Sequence, residues 1–225
     1  MYDSLMRLPL LGWVLFSAIA QLRGLGQFMN VAAPSFFAPF QWGTSPIDLV
    51  YVVHVSMRLS SIAFLLLAAA AVILRTRPSG KAAGLEPRIS ALAGSFIMFV
   101  IVLFPRHELS LSLEMVSTVL ILIGTLGTVL ALAQLGRSFS VMAETRQLVT
   151  SGPYRFVRHP LYLTEGIALI GLFMQFASAW TALLFAVQIA FQLRRMHNEE
   201  LVLTASFSEY AAYQQNTARL IPGIY

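Results

Sequence analysis

The chain has 225 residues, 57% of them hydrophobic and only 11% charged, with a net charge of +5. Soluble domains of this size carry roughly a quarter charged residues, so the deficit excludes an ordinary soluble globule and points to an integral membrane protein. Cysteine is absent, which excludes disulfides and thiolate chemistry.

Taken in chain order, the first apolar stretch is Leu8–Leu22. Its "SAIA" segment resembles the end of a cleaved signal peptide, but retention as a first helix is the expectation. The linker "NVAAPSFFAPFQWGTSP" is rich in proline and aromatics, like a segment lying at a bilayer interface. The runs Leu49–Leu74, Ile89–Phe104 and Leu111–Leu135 approach the ~20 residues that a membrane span needs. Between the first two, "RTRPSGKAAGLEPR" has the composition of a plain basic loop. The last stretches, Tyr162–Phe176 and Ala179–Leu193, are joined by almost nothing and are expected to form a tight helical hairpin. Each is only ~22 Å long as a helix, against a hydrocarbon core of ~30 Å.

The expected fold is therefore an all-α integral membrane bundle of five or six transmembrane helices, ending in a C-terminal helical hairpin beside a cytoplasmic pocket. Residues 1–135 form its N-terminal bundle. Residues 136–225 supply a loop, the hairpin and a final polar helix, within one structural domain. Gly124, Gly127, Gly166 and Gly171 lie on apolar helices, where small residues permit close packing.

The basic residues are unevenly placed. Arg75, Arg77, Lys81 and Arg88 fill one loop, and Arg137, Arg146, Arg155 and Arg158 fill the loop two crossings later. With six crossings these join Arg7, Arg194, Arg195 and Arg219 on one side, leaving only Arg23 and Arg106 opposite. The positive-inside bias puts the richer side, with both termini, in the cytoplasm. No solvent-facing basic stripe forms, so nucleic acid is not an expected partner.

Chemistry concentrates in "LVTSGPYRFVRHPLYLTEG", residues 148–166. Pro160 suits the first position of a helix, having no N–H to leave unpaired, and it pushes His159 out of helical angles. Such a helix start offers free N–H groups and a partial positive charge, which Arg155, Arg158 and His159 reinforce as an anion site. The plainer alternative is a basic loop touching lipid head groups. In "RRMHNEE", Arg195 and Glu199 share a helix face, where a surface ion pair is the bland reading. The adjacent acids Glu199 and Glu200 suggest a partner that is cationic or rich in hydroxyls. The hairpin returns both segments to the same membrane face, giving one polar pocket. Nucleotide-like cofactors such as S-adenosylmethionine fit that description, but spacing alone does not choose among them.

The motifs "LVTSGPYRFVRHPLY", "EE", "SFSEYAAY" and "RLIPGIY" together resemble the isoprenylcysteine carboxyl methyltransferase family and its phospholipid methyltransferase relatives. The resemblance covers roughly residues 136–225 and implies a helical membrane enzyme. Its cofactor would be S-adenosylmethionine from the cytosol, and its partner a lipophilic acceptor entering from the bilayer among membrane lipids. It also implies that Gln147, Leu148, Val149, Tyr154, His159, Pro160, Leu161, Tyr162 and Glu199 bind the cofactor. Arg195 would face the acceptor as the catalytic residue, and the "FSVMAE" segment, with Glu144, would approach the cofactor. The implied acceptor is a prenylcysteine-type carboxylate or a similar small lipid, and the family's chemistry calls for no metal or covalent nucleophile. Two departures stand out. Thr164 and Glu165 follow Tyr162 where the family often has a small residue, and "SFSEYAAY" is one residue short of the usual pattern.

Other readings remain. An NADPH-dependent sterol-type reductase shares the R-H-P-x-Y segment, and a phospholipid N-methyltransferase shares the cofactor. His54 and Arg58 lie four apart within an apolar stretch, where ionisable residues default to functional candidates. Arg58 is expected to pair with Glu165 or with the acceptor's polar group, and both are candidate substrate residues. The alternatives are a structural contact within the bundle or, for His54, a haem ligand. His107 is expected in an outer loop and His197 in solvent or at the interface. Oligomeric state is not legible.

Overall fold

A computed structural model describes residues 11–12, 14–19, 22–23, 46–74, 76 and 78–223. The aromatic linker up to residue 45 and the side chain of His54 lie outside the described residues. Among the described residues the chain is mostly helical. Helix α1 spans Pro46–Leu74 and α2 spans Glu86–Phe96, continued by a 3-10 helix over Ile97–Leu103. Helix α3 spans Leu111–Leu135, α4 Pro160–Gln175, α5 Ala179–Ser206 and α6 Tyr210–Asn216. The stretch Leu111–Ser138 is long and apolar enough to cross a membrane, and Arg58–Leu74 and Pro160–Gln175 are shorter apolar helices. Outward faces agree with lipid as solvent. Leu66 and Ile73 on α1, and Ile123 and Leu130 on α3, are more than half exposed.

Local chemistry sets the boundaries. Pro87 near the start of α2 follows Glu86, whose charge suits a helix N-terminus. Gly136, at φ +48, ends α3. At the start of α5, Ser178 Oγ accepts from the Thr181 N–H, and Thr181 Oγ1 accepts in return from the Ser178 N–H. This reciprocal cap satisfies two donors at once. The apolar run from Ile89 is not one α-helix, because it changes to 3-10 geometry at Ile97. The larger rise of a 3-10 helix, ~2.0 Å per residue, gives the combined segment a contour of ~30 Å, the thickness of a hydrocarbon core.

The two final apolar helices do not form the tight hairpin expected of them. Their connection is short, but α4 packs chiefly against α3, and α5 packs chiefly against α2. Glycine decides the first pairing. A Cβ on Gly124 would lie 2.4 Å from the Ala168 nitrogen, and one on Gly171 would lie 2.6 Å from the Ser117 carbonyl oxygen. No larger residue permits that backbone approach. Across the same seam, Ser117 Oγ donates to the Gly171 carbonyl at 2.8 Å, and the Thr128 and Thr164 hydroxyls lie 2.9 Å apart. Gly166 departs from its expected packing role, since a Cβ there meets nothing within 4 Å.

Polar contacts join α2 to α5. Gln188 Nε2 donates to the Gly94 carbonyl at 2.7 Å, and Asn198 Nδ2 reaches Ser90 Oγ and Glu86. The basic loop between α1 and α2 is likewise more than a plain loop. Its Gly80–Lys81 strand, β1, pairs antiparallel with β2, Glu144–Thr145. An apolar cluster of Ala68, Ala71, Val72, Ala131, Leu132, Phe139, Tyr154 and Leu161 anchors the α3–α4 connection to α1 and α3.

Candidate functional site

The chain between α3 and α4 is bent by its own residues. Gly152 adopts φ +59, natural only for glycine, and the 3-10 turn Gly152–Arg155 that follows buries Tyr154. Pro160 opens α4 as expected. His159 before it holds φ −125 and ψ 58, outside the helical region, as the proline ring demands.

The polar end of α5 meets this bend. The Tyr162 hydroxyl donates to Glu199 Oε1. Arg195 Nε lies 3.6 Å from the same oxygen, and its guanidinium stacks 4.9 Å from the centre of the Tyr162 ring. Arg195 also donates through Nη2 to the Val141 carbonyl at 3.1 Å, and it is only 3% exposed. The i,i+4 pair of the sequence is therefore a buried junction rather than a surface ion pair.

Glu199 and Glu200 part ways. Glu200 Oε1 lies 3.0 Å from His159 Nε2 and accepts from Arg158 Nε at 3.0 Å, while its Oε2 lies 3.2 Å from Arg219 Nη2. Burial alone would raise this carboxyl's pKa. The His159 hydrogen bond and charge, with Arg219 and Arg158, outweigh burial and hold it at about 2. The basic groups of the bend thus brace Glu200 from within instead of forming the exposed anion site expected of them. Arg155 is exposed and stacks on Phe156 at 4.8 Å. With Glu200 braced in this way, Glu199 is the acid that α5 leaves to the cleft.

That cleft encloses about 750 Å³, its open mouth included. Of the sequence-predicted residues, Gln147, Leu148, Val149, Tyr154, His159, Leu161, Tyr162 and Glu199 line it, as does Glu144. Pro160 shapes the helix start without lining the cleft, and Arg195 sits behind Tyr162 and Glu199. Glu165 lies one turn further along α4, accepting from Gln192 Nε2 at 2.9 Å with Arg195 as its facing cation. Arg58 belongs to α1, which packs on α3. His197 is exposed, as expected.

Phe139, from the "FSVMAE" segment expected to approach the cofactor, also lines the cleft, whereas sequence reasoning missed Thr145, Arg146, Leu203, Tyr210 and Tyr213 in the lining. Leu203 was within reach, lying one turn beyond Glu199 on the same helix. Arg146 carried no signal, because a basic loop residue looks alike whether exposed or buried. Its side chain is fully buried, with Nε donating to the Thr76 carbonyl at 2.7 Å and Nη2 to Glu144 at 2.9 Å. Lys81 adds a contact to Glu144 at 3.5 Å.

Three polar atoms of the lining are buried without a hydrogen-bond partner: the Tyr154 and Tyr210 hydroxyls and Arg146 Nη1. Buried polar groups are normally satisfied, so a wall carrying three such atoms is suited to a polar ligand. Burial raises the pKa of Tyr154 and Tyr210 above the usual tyrosine value, which keeps both hydroxyls as donors.

The C-terminal segment closes one side. Arg158 and His159 donate their backbone N–H groups to the Ala218 and Arg219 carbonyls at 2.8 and 3.1 Å. Arg158 Nη1 reaches the Gln214 and Thr217 carbonyls, and the Tyr213 hydroxyl donates to the Tyr154 carbonyl at 2.5 Å.

Cobalt-zinc-cadmium resistance protein CzcN of Cupriavidus metallidurans is 34% identical over 115 residues, covering 48% of this chain and 51% of the relative. Nickel-cobalt-cadmium resistance protein NccN of Alcaligenes xylosoxydans xylosoxydans is 29% identical over 112 residues, covering 48% and 52%. The chain spans about half the length of the curated relatives it matches. Residues 116–205, which include α4, the Tyr162–Glu199 contact and both acids of α5, match the family model of the isoprenylcysteine carboxyl methyltransferase (ICMT) family.

Proposed function

We propose that the protein is a membrane-embedded methyltransferase that uses S-adenosylmethionine and acts on a lipophilic acceptor. The observation that supports this reading best is the cleft between the two polar segments, where Glu199 stands beside the three unpaired polar atoms. The residues present fit such a cofactor. Glu199 is placed to accept hydroxyl hydrogen bonds, the Tyr154 and Tyr210 hydroxyls and Arg146 Nη1 are free donors, and the tyrosine rings offer flat surfaces for a base. When bound, the cofactor supplies a methyl group made electrophilic by its sulfonium.

The protein's own contribution is alignment and dryness. Tyr162 and Arg195 fix the Glu199 carboxylate from two sides. Leu148, Val149 and Leu161 make the cleft wall apolar where water would otherwise enter. We retain five or six spans, a cytoplasmic cleft and cytoplasmic termini as parts of the proposal. The relatives' names concern resistance to metals and name no methyl acceptor.

The deciding experiment compares S-adenosylhomocysteine with NADPH on the purified full chain by calorimetry. Micromolar binding of the first and none of the second is the expected result. Binding of NADPH alone would move the protein to the reductase class.

A further inference from the structure

One wall of the cleft is built unlike the others. The inner wall belongs to the apolar cluster through Phe139, Tyr154 and Leu161. The α5 wall is fixed as far as Ser206. The Ser206 hydroxyl accepts from Thr145 Oγ1 at 3.1 Å, and Gly80 packs against it so closely that a Cβ there would collide with it. Beyond Ser206 the support changes. Only residues 207–209 precede α6, and within α6 Tyr210 alone is buried. The apolar cluster takes no member from residues 210–219.

Polar contacts hold this segment instead. Arg158 is their hub. Its backbone N–H donates to the Ala218 carbonyl, its Nη1 to the Gln214 and Thr217 carbonyls, and its Nε to Glu200. The Tyr213 hydroxyl donates to the Tyr154 carbonyl, and Arg219 Nη2 lies 3.2 Å from Glu200 Oε2. The segment also has open space on both sides. Tyr210 and Tyr213 line the cleft, while residues 214–219 line a second cavity of about 840 Å³, its open mouth included, together with Arg158 and Glu200. It is a thin partition between two open spaces. Segments with few buried apolar contacts open at low free energy, and the lids of ligand sites are drawn from them.

We propose that residues 210–219 form a lid over the cleft, hinged at residues 207–209 and latched where Arg219 meets Glu200, and that the ligand of the cleft enters and leaves beneath it. This rests on the methyltransferase reading for the ligand's identity, whereas the lid is a property of the chain alone. It also gives the two adjacent acids separate duties. Glu199 lines the cleft, and Glu200 is the fixed post on which the lid closes.

The absence of cysteine from the chain makes the test direct. Leu161→Cys puts one thiol on the cleft wall, at a position 6% exposed, and Ala131→Cys puts one in the core of α3, at 0%. Each full-length variant is labelled in detergent, without cofactor, by a charged methanethiosulfonate. Adding Arg219→Gln should speed labelling of Leu161→Cys at least about tenfold, the scale for removing one partner of a largely buried charge pair, and leave Ala131→Cys unchanged. Equal rates with and without Arg219→Gln would overturn the lid. So would a rise at both positions, which marks general loosening. Val157→Cys with Ala218→Cys is a second variant that keeps Arg219. The two residues pair across a parallel bridge, where strands lie about 4.8 Å apart, within reach of a disulfide. Oxidised, this variant should bind and release S-adenosylhomocysteine at least about tenfold more slowly than when reduced, and identical rates in both states would overturn the lid. If wild-type protein fails to bind S-adenosylhomocysteine while Arg219 still controls labelling, the methyltransferase reading falls and the lid stands.

Discussion

The hydroxyl of Tyr162 donates to the carboxylate of Glu199, so that the first turn of α4 and the polar end of α5 share one hydrogen bond across 37 residues of sequence. Glu199 is the acid of this pair of segments that is not neutralised by a cluster of basic groups. Glu199→Ala should therefore weaken S-adenosylhomocysteine binding by a factor of about ten or more, the cost of losing a charged hydrogen-bond acceptor. Tyr162→Phe keeps the ring on which Arg195 stacks and removes only the hydroxyl, so its loss should be a few-fold. Calorimetry on the two variants, with circular dichroism to confirm the fold, checks both. Equal affinity in Glu199→Ala and wild type would remove this residue from the site.

Arg195 has a structural duty that its sequence position concealed. It is almost fully buried and faces Glu165 and Glu199. Removing one partner of a buried charge group costs ~3 kcal/mol or more. Arg195→Ala should accordingly lower the melting temperature by about 5 °C or more in a chain of this size, as well as reduce turnover. A variant that loses turnover with an unchanged melting temperature would make Arg195 a purely chemical participant.

Much of the site was legible because it is local. The R-H-P-x-Y segment specifies a bend followed by a helix start, and the i,i+4 relation of Arg195 and Glu199 follows from helical geometry alone. The end of α3 at Leu135 was likewise plain from the apolar run before Gly136. The partners of each element were not legible. Whether α4 lies against α5 or α3 depends on how closely two backbones approach, and an apolar helix suits either neighbour. Gly124 and Gly171 carried the answer, but nothing in the residues around them distinguishes them from Gly166. The division of labour between Glu199 and Glu200 was hidden for a related reason. It depends on Arg219, which reaches Glu200 only after the chain has turned back past α6.

The glycine seam makes a stability prediction. A Cβ on Gly124 would lie 2.4 Å from a backbone nitrogen, which no side-chain adjustment relieves. Gly124→Ala should cost about 1–3 kcal/mol through overpacking, despite alanine's better helix propensity. Gly166→Ala, with open space around it, should be neutral or slightly stabilising. Thermal unfolding of the two variants side by side checks this, and an equal response would mean that α3 and α4 pack by some other contact.

Acid should dissolve the brace around Glu200 in a defined window. With its neighbours His159, Arg219 and Arg158, this carboxyl has a folded-state pKa of about 2, against 4.5 for the free group. A carboxyl whose pKa is lowered by folding contributes stability that is fully present above the unfolded value and is lost as pH falls through the folded one. The contribution should therefore hold at neutral pH and disappear between about pH 4.5 and pH 2. Glu200→Gln removes the charge at every pH and leaves Arg158 and Arg219 facing a neutral group, so it should lower the melting temperature at pH 7 by about 5 °C. The wild-type and variant curves should then converge toward pH 2. Melting temperatures of both proteins in detergent, followed by tryptophan fluorescence from pH 7 downward, provide the comparison. Curves that stay parallel throughout would show that Glu200 is not the group whose protonation loosens the C-terminal segment from the bend.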